Sequence, residues 1–229
     1  SAYWDPAFLS ADGTRFEYKE VLFYYKSGYR LPGDLIEVPP DGLVMFSGHD
    51  MSQPQDVVSA KYRCESWEAP LPQFDEGDPM DHVPYLPKCQ VGDLLEFRVV
   101  FPQCWDGVNL TSDDKRSHMS YPIPAETPFT GTGRCPDSHP IAIPEISYKF
   151  AVMVTNSTGP SDTWYLSSDM KELHPNGSSL HGDWMNGWDS DIMDLIINNC
   201  INPGYDCDVG LLGDGTRLQE VLITQNGDD

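Results

Sequence analysis

The stretch Leu94–Phe101, LLEFRVVF, decides how the rest of the chain is read. Leucine, valine and phenylalanine suit a pleated, half-buried surface, and Pro102 stops the run, so a strand is expected. Working outward, KFAVMVT (149–155) and TWYLSS (163–168) read as two further strands joined by a turn through Asn156–Asp162. Upstream, FEYKEVLFYY (16–25) and LIEVPPDGLVMFSG (35–48) read as strands broken by Pro-Gly and Pro-Pro-Asp-Gly turns. Residues 66–88 are rich in Pro, Asp and Glu with little periodicity, which predicts a surface loop. One segment is helical. Asp189 or Ser190 can cap Asp191–Asn199, where Ile192, Leu195 and Ile196 share a face and the first-turn acids suit the helix dipole.

The bulk numbers agree with this pattern. Nineteen glycines and 20 prolines spread over 229 residues favour many short strands over long helices. No internal repeat, low-complexity block or interdomain linker stands out. The expectation is one mainly β, sandwich-like domain over residues 1–229, stapled by disulfides and carrying one or two short helices. The net charge of −22, from 36 acids against 14 bases, argues against nucleic acid and anionic membranes as partners. No apolar run approaches the roughly 20 residues needed to span a bilayer. Six cysteines without a CxxC pair speak for disulfides in an oxidising compartment, and pairing neighbours gives Cys64–Cys89, Cys104–Cys135 and Cys200–Cys207. Sequons at Asn109, Asn156 and Asn176 suit a secreted glycoprotein.

The densest functional chemistry lies in His181–Asp189, HGDWMNGWD, which packs an imidazole, two carboxylates, an amide and two indoles around two glycines. Trp184 beside Asp183, Asn186 and His181 matches a sugar site: the indole takes the apolar face of a pyranose and short polar groups take its hydroxyls. A Gly-rich turn with half-buried tryptophans is the structural alternative. The run is expected to connect a strand to the helix. Three segments share its texture: Phe101–Gly107 with Trp105 and Asp106, Asp113–Pro122 with Lys115, Arg116, His118 and Tyr121, and Cys135–Pro140 with His139. Lys115 and Arg116 stand out because bases are scarce, although they can also simply neutralise Asp113 and Asp114. His118, His139 and His181 are candidate bases. No cofactor is expected and no metal is assigned. A divalent cation at these three histidines is the alternative, and the fold would have to assemble it, because they follow no local ligand spacing. No GxSxG elbow, P-loop or Rossmann fingerprint appears.

Taken in order, FPQCWDG (101–107), SHMSYP (117–122), CPDSHPIAIP (135–144) and HGDWMNGWD (181–189) resemble a secreted fungal and bacterial family. That family is known as a domain of unknown function and is often attached to WSC-type carbohydrate-binding modules. Its pattern runs FPxCWDG, SHxxYP, CPxxHPxxIP, HGDWxNGWD, and Ser1–Pro6, Tyr24–Lys26 and Pro39–Gly48 resemble its earlier part. The resemblance implies secretion and association with polysaccharide surfaces. It also implies a further N-terminal segment with an SxHxH-like motif, which this chain starts too late to contain. If that segment carries ligands or a base, another chain would have to supply it.

The expected function is therefore a secreted carbohydrate-active protein whose partner is a polysaccharide or cell-surface glycan. For cleavage of an acidic polysaccharide, a lyase would use Lys115 or Arg116 to neutralise the uronate, His118 or His181 as base and Tyr121 as acid. A glycoside hydrolase would use a carboxylate pair among Asp106, Asp183 and Asp189. The remaining binding roles fall to Trp105, Asp106, Trp184, Asn186 and His139. The alternative is non-catalytic: a carbohydrate-binding protein with tryptophan platforms, or an extracellular structural or assembly protein. Convergence of the three histidines in an open cleft would favour catalysis. Dispersal, or ring nitrogens sealed by backbone hydrogen bonds, removes that support.

Overall fold

A computed structural model describes residues 1–27, 34–49, 59–66, 84–123, 133–170, 177–208 and 210–218. Its strands are β1 (Ala2–Trp4), β2 (Phe8–Leu9), β3 (Glu20–Lys26), β4 (Val44–Gly48), β5 (Ala60–Ser66), β6 (Asp93–Val100), β7 (Cys104–Trp105), β8 (Met119–Ser120), β9 (Ile141–Ala142), β10 (Glu145–Met153), β11 (Tyr165–Leu166) and β12 (His181–Met185). One helix, α1 (Ser190–Ile196), follows β12 and runs on into a wider turn at Ile197–Ile201. The protein is mainly β and sandwich-like, as expected.

The larger sheet has the order β3-β10-β6-β5 and is antiparallel throughout. LLEFRVVF is its β6, where Leu95, Phe97 and Val99 face the core and Glu96 and Arg98 face away. The alternation is the period-2 signature of a strand with two different faces. On β10, Ile146, Tyr148, Phe150 and Val152 take the same side as Leu95 and Phe97. The smaller sheet, β1-β12-β4, closes over this core with Met45 and Trp184 pointing inward.

The face of the large sheet away from the core holds a charge network. Glu96, almost fully buried, contacts Arg63 at 2.8 Å, Arg98 at 3.1 Å and Lys149 at 3.1 Å. Burial alone would raise the Glu96 carboxyl, but Glu65, Arg63 and Arg98 outweigh it and hold the pKa at about 2. Lys26, Lys61, Arg63, Arg98 and Lys149 all lie on this face, so it absorbs a third of a scarce supply of bases.

All three disulfides are present with the neighbour pairing, Cys64–Cys89, Cys104–Cys135 and Cys200–Cys207. Two sequence expectations change. His181–Met185 is itself a strand, where a strand-to-helix connection was expected, and β5 was not foreseen. Charged and polar residues alternate through both, Lys61, Arg63 and Glu65 on β5 and His181 and Asp183 on β12, and mask their strand composition. The loop read over 66–88 lies mostly outside the described residues, as does Asn176.

The two sheets pack tightly at Gly182. The Tyr148 hydroxyl, rising from β10, passes beneath β12 and donates to the Trp4 carbonyl at 3.1 Å. A Cβ on Gly182 would sit 1.4 Å from that oxygen and 2.3 Å from the ring carbon bearing it. Tyr148 is wedged in the core and cannot retreat. Gly182→Ala is therefore predicted to destabilise the fold by about 3 kcal/mol or more, measured by denaturant unfolding. A loss below about 1 kcal/mol, the low end for overpacking, would contradict this geometry.

Candidate functional site

Strand alternation decides which residues of HGDWMNGWD can meet a ligand. In β12, Gly182 and Trp184 point inward while His181, Asp183 and Met185 point outward. The register places Asp183 between Trp4 on β1 and Phe46 on β4, so the three share the outer face of the small sheet. The Trp4 side chain is 52% exposed. Its ring lies 5.3 Å from His181, which in turn stacks on Phe46 at 4.9 Å with 23° between the planes. Arg116, from the loop between β7 and β8, lays its guanidinium 4.3 Å from the centre of the Phe46 ring and donates to the Gly48 carbonyl at 2.8 Å. Four flat groups thus stand in a row: Trp4, His181, Phe46 and Arg116.

The polar chemistry of the row is asymmetric. His181 Nδ1 lies 2.6 Å from the Ser179 carbonyl, which can only accept, so Nδ1 carries a proton and Nε2 is the ring nitrogen left to a ligand. That nitrogen has no hydrogen-bond partner among the described residues. Neither has the Asp183 carboxylate, which is half-buried. Burial raises its pKa, and His181 works in the opposite direction.

The family model for the domain of unknown function DUF1996 matches residues 1–188, more than three quarters of the chain. This protein belongs to the DUF1996 family. No curated protein and no solved structure matches it. The matched span contains the whole Trp4–His181–Phe46–Arg116 row with Asp183, and α1 lies beyond it.

Other expected site residues of this DUF1996 chain have internal partners. Trp184 is fully buried, and its indole N–H donates to the Tyr25 hydroxyl at 3.2 Å; Trp188 donates to the same oxygen at 2.8 Å. With both indoles donating to it, Tyr25 directs its own proton to Tyr3. Asn186 is buried and donates to the Pro39 and Pro40 carbonyls, which leaves no amide for a ligand. Asp189 caps α1 through the Asp191 and Ile192 amides. Asp106 accepts from the Val108 and Asn109 amides and from the Asn109 side chain, and its pKa falls despite some desolvation. Trp105, half-buried, donates to the Asn109 carbonyl.

The other two histidines are fully engaged. His118 is buried, with Nε2 donating to the Val44 carbonyl at 2.7 Å and Nδ1 bonded to Ser112 at 2.8 Å. His139 donates from Nε2 to the Ser117 carbonyl and bonds Ser138 through Nδ1. Tyr121 donates to the Val100 carbonyl beside Ser47, away from the outer face. Lys115 is exposed in a left-handed backbone conformation and bonds Thr111. Among the described residues, no group of three or more His, Cys, Asp or Glu is placed to hold a metal, so the three histidines do not assemble into one.

Trp4 and Phe46 were missed as site residues. Phe46 reads as one apolar residue in a strand, and its pairing with Asp183 spans more than half the chain. Trp4 sits in the largely apolar run AYWDPAFL, so only its pairing opposite Asp183 reveals that it faces outward.

Asp183 is a carboxylate held half out of water with no hydrogen-bond partner among the described residues, which costs stability while it is ionised. The raised pKa means that the folded state binds its proton more tightly than the unfolded chain, so this penalty appears as pH rises through the carboxyl range. Asp183→Asn is predicted to raise Tm at neutral pH, with the gain vanishing in acid. A lower Tm at neutral pH would mean that Asp183 has a stabilising partner.

Proposed function

We propose that this protein is a secreted glycan-binding protein whose ligand lies against the outer face of β1, β12 and β4. The observation that carries the reading is the exposed Trp4 ring beside the Asp183 carboxylate, which has no hydrogen-bond partner among the described residues. An indole presents a rigid apolar surface of the size of a sugar ring, and a few convergent polar groups fix the orientation of what stacks there. His181, clamped between Trp4 and Phe46, adds a polar nitrogen whose position costs little entropy on binding. Three disulfides suit an oxidising compartment. The exposed sequon residues Asn109 and Asn156 are accessible for glycosylation. Among the described residues no helix is long and apolar enough to cross a membrane.

The engagement of the candidate acids and bases favours binding over cleavage. Most of the acids and bases considered for a lyase or hydrolase are engaged elsewhere, His118 and His139 at both ring nitrogens, Tyr121 on Val100, Asp106 in its turn and Asp189 at the helix cap, and only His181 and Asp183 remain on the outer face. Of the three carboxylates considered for hydrolysis, only Asp183 has no hydrogen-bond partner among the described residues, and hydrolysis requires a pair.

The test is retention on a panel of insoluble polysaccharides. Trp4→Ala should lower affinity for the retained glycan at least tenfold while the protein stays folded, because about half of the residue is in solvent and none of it is in the core. Tyr3→Phe, which keeps the core packing and alters no outer-face group, should bind normally. Equal retention of the wild type and Trp4→Ala would remove this surface as the site.

A further inference from the structure

The outer face also carries a chemical preference. Two polar groups beside Trp4 have no hydrogen-bond partner among the described residues: the Asp183 carboxylate, an acceptor, and His181 Nε2, which accepts when the ring is neutral, its other nitrogen being committed to Ser179. Being two residues apart on one strand, they project on the same side, about 7 Å apart along the backbone. The neighbouring cation is spoken for. Arg116 rests on the Phe46 ring and bonds the Gly48 carbonyl, and the Phe46 ring lies against both it and His181. Lys115 is bonded to Thr111, and five further bases lie on the face of the other sheet that points away from the core. A net charge of −22 adds a repulsive field for any anion approaching within about a Debye length.

We propose, resting on the glycan-binding reading, that the ligand is a neutral sugar whose adjacent hydroxyls donate to Asp183 and His181, and that uronate-bearing glycans are disfavoured. A neutral pyranose supplies what the face lacks, namely several O–H donors on a ring whose C–H side can lie on Trp4. A uronate brings a second carboxylate to a site that already has one. Hydrogen bonds to an ionised acceptor in a partly dry setting are the stronger kind, so Asp183 sets most of the selectivity.

The experiment is calorimetric titration with neutral oligosaccharides (gluco-, manno-, xylo- and galacto-series) and with oligogalacturonate and oligoalginate. The expected result is binding of at least one neutral series, with the uronates at least tenfold weaker. Asp183→Asn should weaken that binding at least tenfold. His181→Phe, which keeps the stack between Trp4 and Phe46, should weaken it severalfold. Uronate binding equal to or tighter than neutral binding, and lost in Arg116→Gln, would overturn the preference. Neutral binding that needs Trp4 but ignores Asp183 and His181 would overturn the acceptor assignment while leaving the surface intact. Absence of any glycan binding would sink the underlying reading itself.

Discussion

The Tyr148 hydroxyl beneath Gly182 is the contact on which the rest of this architecture depends. It brings the backbone of β12 against a phenol rising from the centre of the larger sheet, and it ties the Trp4 carbonyl of β1 to the same point. Once that spacing is set, alternation does the rest. Trp184 must fall into the core, and His181 and Asp183 must stand on the outside. The outer face is therefore a consequence of how the two layers meet. A one-residue slip of β12 would invert it, sending the carboxylate inward and the indole outward.

A second constraint is the distribution of polar groups in an acidic chain. The only large cluster of bases among the described residues compensates Glu96 and Glu65 on the far side of the four-stranded sheet. The motif segments around β7 and β8 spend their side chains on their own loops: Asp114 gathers the Ser117 and Arg116 amides and the Ser112 hydroxyl, and its pKa drops accordingly. This bonding stiffens the loop that holds Arg116 over Phe46. Polar density in these motifs builds a frame, and only a few of its members remain available to a ligand.

That division explains what could be read from the sequence. The β class, the strands around LLEFRVVF and KFAVMVT, the helix after Asp189 and all three disulfides followed from composition, turn residues and cysteine neighbours. The site was legible only in part. His181, Asp183 and Arg116 were identified and do share a surface, while Trp184 and Asn186, from the same nine residues, turned inward. Residue type marks a run as unusual, but facing depends on register against β1 and β4, and that pairing is set by partners far away in sequence. Trp4 and Phe46 were hidden for the same reason.

The reading of the outer face as a glycan surface gathers these threads: an exposed ring, a carboxylate kept at a cost in stability, and a histidine held flat with one nitrogen free. The most direct measurement is a heteronuclear NMR titration of the intact protein with the neutral oligosaccharide it retains best. The account predicts that the Trp4 indole N–H, the Met185 methyl and the His181 ring signals shift together and saturate, while the indole signals of Trp164, Trp184 and Trp188 stay in place. Saturable shifts centred on another surface, with Trp4 and His181 unmoved, would contradict it.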